Sequence, residues 1–251
     1  KLEIIVDEAM DQESKEILRK NLEKKLYSLI SLKLSDLVNL TKSKFSNNYV
    51  RALCYQLFEN NGIIKRDEIH EMTKNLSKED RSTLRKAGVK IGRYHIFLPR
   101  MLKPAAVDLR VKLWKLYYDE DKKYSIPQSG LNFLKDEIVK NKKFLLICGF
   151  ENFNKFYIRV DILERLFLKI LENTKNGTFK IDSDMINLIG CSKENFYKLL
   201  DLMHYKAVKT KDIDEDLFEY KPRYLKKENR KKANKTNKDN PFEKLTELRF
   251  R

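Results

Sequence analysis

Residues 84–114 read LRKAGVKIGRYHIFLPRMLKPAAVDLRVKLW. The pattern is the end of a helix, a glycine stop, a short strand, a turn and a second helix. Gly88 stands where a helix C-terminus takes a residue tolerant of positive φ. Residues 89–98 are rich in β-branched and aromatic side chains, which suit one half-buried strand, and Pro99 ends it. Pro104 falls at the first helical position, where its missing N–H is not needed. Ala106, Leu109, Leu113 and Leu116 follow at helical spacing. Cations crowd the same segment: Arg85, Lys86, Lys90, Arg93, Arg100, Lys103, Arg110, Lys112 and Lys115. Held on ordered backbone beside Tyr94, His95 and Trp114, they predict a nucleic-acid face in which charge meets phosphates and rings meet bases. The competing expectation for each cation taken singly is a solvated surface.

The order of residues here resembles a known group. Leu84-Arg85-x-x-Gly88-Val89-Lys90-Ile91-Gly92, then Phe97, Pro99, Leu102-Lys103-Pro104, Leu109-Arg110 and Leu113-Trp114 resemble the C-terminal region of certain helicases. These are the alphaproteobacterial superfamily-2, DExH-type, ATP-dependent helicases related to the mitochondrial RNA-degradosome helicase. Gly149-Phe150 followed by Arg159-Val160-Asp161-x-Leu163-Glu164-Arg165-Leu166 resembles them again, without the glycine usual between those two parts. Met185, Leu188, Gly190, Ser192, Glu194 and Phe196 fit the pattern as well, although Asn187 and Asn195 replace the usual Ser and Asp. Pro241-Phe242-x-x-Leu245-x-x-Leu248 is similar to the short apolar ending of the group. The resemblance implies an accessory region that guides the strand leaving a motor encoded upstream in the same polypeptide. It implies ATP and Mg²⁺ only for that motor, and single-stranded RNA as a partner in preference to DNA.

Composition points to an anionic partner without any resemblance. The chain has 251 residues, 53 Lys and Arg against 37 Asp and Glu, and a net charge of +16. Such an excess favours nucleic acid over a membrane surface for a soluble chain. Lysine enrichment across a whole AT-rich genome is the competing source of that excess. Cys54, Cys148 and Cys191 are far apart and lack metal-ligand spacing, so no zinc site or disulfide framework is expected and a reducing cytoplasm fits. Apolar runs are too short to span a bilayer. The first residue is Lys1, as in a fragment or a processed product.

Along the chain, residues 1–6 suggest a short strand. Residues 14–40 show a helical pattern, with Leu18, Leu22, Leu26, Leu29, Ile30, Leu34 and Leu37 expected on a core face. A second helix over 47–58, a brief strand at 63–64 and a short helix at 66–72 follow. Ser77 and Asp80 form an imperfect capping box for the helix that ends at Gly88. Residues 119–127 are charged and polar, as in a loop between subdomains. The expected domains are 1–125, a helical accessory part with a short strand; 126–220, winged-helix-like; and 221–251, a basic tail. From residue 159 the order is helix, strand (178–181), helix (183–189), a helix capped by Ser192, and strands at 207–210 and 217–220. That is the order of a winged helix-turn-helix, and Lys193, Tyr197 and Lys198 of its second helix are binding candidates. Residues 221–240 carry nine cations against Glu228 and Asp239, so the tail is expected to be disordered when free. Lys226, Lys227, Arg230, Lys231 and Lys232 are its binding candidates. The fold class expected is mainly α with small β elements.

No phosphate-binding loop, GxGxxG or GxSxG occurs, and no catalytic residue or metal ligand is assigned. His70, His95 and His204 are isolated in sequence and read as surface or packing residues rather than general bases. The function expected is nucleic-acid binding as part of a helicase. The alternatives are a stand-alone winged-helix DNA-binding regulator and a structural adaptor on a ribonucleoprotein.

Overall fold

The computed structural model describes residues 11–43, 45–118, 124–135, 141–208 and 217–221. The described chain is mainly helical and carries three small antiparallel sheets of three strands each.

Helix α1 (Gln12–Lys33) starts at Asp11, whose carboxylate accepts the Ser14 N–H at 3.0 Å. It stops at Leu34, and α2 (Ser35–Lys42) continues from there. The single core helix expected over 14–40 is therefore two helices, and the expectation for its first half is corrected. No residue of α1 is buried, and Leu22, Leu26, Leu29 and Leu32 are exposed. Periodicity marks an apolar face but not what lies opposite it. Burial begins near the break: Leu34, Leu37 and Leu40 join Val50, Leu53 and Leu57 of α3 (Asn48–Glu59), with Ile30 packed against them. Asn47 caps α3 by accepting the Tyr49 N–H at 2.8 Å.

Strand β1 (Ile63–Lys65) leads through a 3-10 turn (Arg66–Ile69) into α4 (His70–Lys74) and then α5 (Lys78–Lys86). The capping box of α5 is complete, with Asp80 N–H to Ser77 Oγ at 3.1 Å and Ser77 N–H to Asp80 Oδ2 at 3.0 Å. Asp80 Oδ2 also takes the Asn47 amide at 2.8 Å, which ties two helix starts together. At the other end Gly88 has φ +85°, and the Val89 N–H closes onto the Leu84 carbonyl at 2.9 Å. This left-handed stop is the one expected from the sequence.

The single strand expected over 89–98 is a hairpin instead. Strand β2 (Lys90–Ile91) turns at Gly92 and returns as β3 (His95–Phe97), which sits at the centre of the order β1-β3-β2. Ile63 and Lys90 both pair with Phe97 across it. Alternation sends Ile64 and Ile96 into the helical core, while Ile63 and Phe97 pack with Val160. Both faces of this small sheet are thus covered.

After a 3-10 turn (Pro99–Leu102), α6 (Pro104–Tyr118) starts with proline in its first position. Ala106 and Leu109 face the first core, and Val107, Val111 and Trp114 face a second with Phe144, Phe150 and Tyr157. Leu113 packs against the first core as well, but Leu116 is exposed. Strand β4 (Phe133–Lys135), α7 (Lys142–Ile147), β5 (Phe150–Phe153) and β6 (Phe156–Arg159) follow, with strand order β4-β6-β5. A two-residue turn, Asn154-Lys155, joins β5 to β6. Asn154 takes the left-handed conformation there, with φ +59°, a region asparagine tolerates better than most residues.

Helix α8 (Val160–Asn173) then precedes β7 (Thr178–Lys180), α9 (Ser183–Ile189), α10 (Lys193–Leu202), β8 (Tyr205–Val208) and β9 (Leu217–Tyr220). That is the winged-helix order read from the sequence. The chain divides into two compact units, Lys1–Glu172 with Asp184–Cys191, and Asn173–Ser183 with Ser192–Arg251. The second contains a sheet of order β7-β9-β8. In it Phe179 lies 5.3 Å from Tyr205 and 5.9 Å from Phe218, ring centre to ring centre. No helix among the described residues is long and apolar enough to cross a membrane.

Candidate nucleic-acid interface

The turn of the β2–β3 hairpin is held from two sides. The Glu164 carboxylate on α8 accepts three successive backbone N–H groups: Arg93 at 2.6 Å, Tyr94 at 2.8 Å and His95 at 2.9 Å. From the 3-10 turn after β1, the Arg66 N–H donates to the Tyr94 carbonyl at 2.9 Å and its guanidinium to the Gly92 carbonyl at 3.0 Å. The Gly92 N–H closes the turn onto the His95 carbonyl at 2.8 Å. Hydrogen bonds to an ionised group are stronger than neutral ones, so the turn is fixed although it is short.

A second buried carboxylate supports the first. Glu151 on β5 accepts from His95 Nε2 at 2.6 Å and from Lys65 Nζ at 2.6 Å. Burial pushes its carboxyl pKa up, but the hydrogen bonds from His95 and Lys65 outweigh burial and hold it below the ordinary value. His95 Nδ1 lies 3.9 Å from Glu164 and has no hydrogen-bond partner among the described residues.

This frame presents Arg93 and Tyr94. Arg93 is exposed, and its guanidinium carbon lies over the Phe167 ring at 5.9 Å from the centroid. Tyr94 meets the same ring edge-on, with centroids 5.9 Å apart and planes at 82°. Arg85, Lys90 and Lys103 are exposed, and Lys90 Nζ lies 5.8 Å from the Phe97 ring centroid. Arg100 is exposed and pairs with Asp36 at 3.1 Å. It lines an open groove of about 630 Å³ together with Lys42, Lys86 and the Gly88 stop. Three cations face that groove and one carboxylate, Asp36, balances them in part.

Two candidates move from the surface to the interior. Arg110 is 1% exposed, and its guanidinium donates to the Asn61 and Met101 carbonyls, each at 2.6 Å. Burial pushes its pKa down to about 10. Among the described residues no carboxylate pairs with it. Two of its donors tie the turn at Asn61 to the 3-10 turn at Met101, while its Nε has no partner among the described residues. His95, also 1% exposed, supports Glu151 rather than facing solvent. Residue type suggested a surface for Arg110, because arginine is seldom fully buried, whereas His95 takes the packing role that was one of its two expectations.

In the second unit, Lys193 and Lys198 are exposed on α10, and Lys193 Nζ lies 5.6 Å from the Tyr197 ring centroid. Tyr197 in turn lies 5.5 Å from Phe218. Lys226, Lys227, Arg230, Lys231 and Lys232 fall outside the described residues.

Reasoning from sequence missed Glu164, Glu151, Lys65, Arg66 and Phe167. For Glu164 a signal existed: a carboxylate between Leu163 and Leu166, on the apolar side of a helix, needs partners of its own. Among the described residues no three His, Cys, Asp or Glu side chains are placed to hold a metal ion. Comparison of the chain with protein-family models, curated proteins and solved structures finds no match.

Proposed function

We propose that this chain is the nucleic-acid-binding accessory region of an ATP-dependent RNA helicase, guiding the strand that leaves motor domains outside the chain. The observation that carries the binding role is the braced turn at Gly92–His95. Its backbone polar groups are engaged by Glu164 and Arg66, which leaves Arg93 projecting from a fixed platform. A cation that is already positioned loses little freedom when it meets a phosphate, so more of its attraction remains as affinity. The groove lined by Lys42, Lys86 and Arg100 supplies further contacts of the same kind.

The helicase part rests on the motif resemblance. Support comes from how two of its stretches meet: Gly92 belongs to the first, Glu164 to the second, and each needs the other. ATP and Mg²⁺ belong to the upstream motor, and the chain alone should hydrolyse no ATP, since it contains no phosphate-binding loop. Single-stranded RNA is favoured over DNA, in the cytoplasm. The order α8, β7, α9, α10, β8, β9 favours a second function, a stand-alone winged-helix regulator that binds duplex DNA.

The test is fluorescence anisotropy with single-stranded RNA, single-stranded DNA and duplexes at several salt concentrations. Salt-sensitive binding of single strands, weakened by Lys90→Glu with Arg93→Glu, is the expected result. Tighter binding to a palindromic duplex favours the regulator, and no binding to any probe defeats both.

A further inference from the structure

We infer that Arg93, Phe167 and Tyr94 form a stacking site for one unpaired nucleobase, with Glu164 as the residue that sets it. The site deepens the binding role proposed above and rests on it. Glu164 and Phe167 are three residues apart on α8 and so share a face of that helix. Glu164 grips the backbone N–H groups of Arg93 and Tyr94, while Phe167 lies under their side chains. One residue thus fixes where the two side chains leave the backbone, and the other gives them a ring to lie against.

A guanidinium held beside a ring at this distance keeps N–H groups for a phosphate, and exposed Arg93 offers an outer face to solvent. That outer face suits a second flat group, and unpaired bases stack on arginine planes and aromatic rings alike. The surrounding charge selects a base carried on phosphates over an aromatic side chain of a protein. Lys90 is exposed on the same hairpin, and Lys65 and Arg66 are half-buried beside it. The acids that hydrogen-bond to the hairpin, Glu164 and Glu151, are buried, and the exposed acids beside it, Asp67 and Glu68, follow Arg66 in the 3-10 turn. A base inside a duplex is already stacked on its neighbours and offers no free face. The ligand is therefore an unpaired base in a single strand, held with little preference among the four.

The experiment uses the whole chain with two probes of equal length, oligo(U) and the same strand with its central residues abasic. Phe167→Leu keeps apolar bulk and removes the ring; Phe167→Trp keeps a ring and covers the case in which the leucine variant fails to fold. The expected result for Phe167→Leu is about tenfold weaker binding of oligo(U), because the Arg93 plane on which the base stacks loses the ring that backs it. Binding of the abasic strand and the slope of affinity against salt should stay as in the wild type. Phe167→Trp should bind oligo(U) at least as tightly as wild type. Glu164→Gln should reproduce the base-dependent loss, and adding Phe167→Leu to it should cost little more. Equal weakening of both probes by Phe167→Leu, unchanged binding of oligo(U), or a loss in Phe167→Trp like that expected of the leucine variant would overturn the stacking site alone. Failure of the wild type to bind either probe would overturn the nucleic-acid role itself.

Discussion

Glu164 and Gly92 occupy adjoining space so closely that a Cβ on residue 92 would fall inside the Glu164 carboxylate. The residues are far apart in sequence, yet the absent side chain of one makes room for the charged group of the other. Gly92→Ala should push the carboxylate away from three N–H groups. Hydrogen bonds to charged groups are worth about 1.5–3 kcal/mol each and do not add fully, so a loss of about 3 kcal/mol is expected. Urea melts measure it, and a change within about 0.5 kcal/mol would mean that the carboxylate is not held there.

The local punctuation of this fold was legible in the sequence. Ser77 with Asp80, Gly88 and Pro104 each act where their backbone chemistry placed them. The hairpin was not legible, because Gly92 sits in a run of β-formers and its partner Glu164 comes from another element. Nor did the leucines of α1 reveal that none of them is buried among the described residues. Arg110 looked like surface because residue type sets the prior, whereas burial depends on carbonyls and carboxylates brought in by other segments. Lys90, Arg93 and Arg100 are exposed, and the residues that hold the hairpin came only from the structure.

The Glu151 carboxyl gives acid sensitivity a defined sign. Its pKa in the folded chain lies below the ordinary 4.5, so the unfolded chain binds the proton more readily. The stability it contributes is fully present above the unfolded value and is lost as pH falls through the folded one. Glu151→Gln should therefore cost most near neutral pH, and its deficit should shrink below about pH 4. Urea melts of both proteins across that range check this, and a deficit that grows on acidification would reverse the assignment.

Exposure on α1 predicts tolerance. Leu22→Ser and Leu26→Ser should each change stability by less than about 0.5 kcal/mol, whereas Leu53→Ala, at a fully buried site, should cost about 2–5 kcal/mol. Trp114→Ala should cost about 3–5 kcal/mol, because the ring packs 5.6 Å from Phe144 in the second core. Lys103→Asp, at an exposed position, should cost far less. Thermal melts rank the five variants, and a large loss at Leu22 would place a covering surface on α1.

Arg110 holds two carbonyls through a fork that lysine cannot reproduce. Arg110→Lys keeps the charge but spans only one of the Asn61 and Met101 carbonyls well. An unmade bond to a buried polar group costs about 1–3 kcal/mol, and that is the expected loss. Nucleic-acid affinity, measured well below the melting temperature, should not change, since the guanidinium is inside the fold. A lysine variant that folds normally but binds strands more weakly would return Arg110 to the binding face.

Apart from Lys221, which pairs with Glu219 at 2.9 Å, the tail lies beyond the described residues, and its expected role follows from charge. Residues 221–240 hold nine cations and two acids. If about half of those cations meet phosphates of a single strand, they add roughly 3 to the slope of log affinity against log salt, at ~0.7 per phosphate. Removing residues 221–251 should flatten the slope by about that amount and weaken binding of all sequences alike, because phosphates carry no base identity. The base-dependent difference at Phe167 should survive the truncation, since that ring lies on α8. The competing source of the lysines is a composition bias of the whole genome, which predicts no change in slope or affinity. Salt titrations of the full and truncated chains decide between the two, and an unchanged slope would remove the tail from the interface.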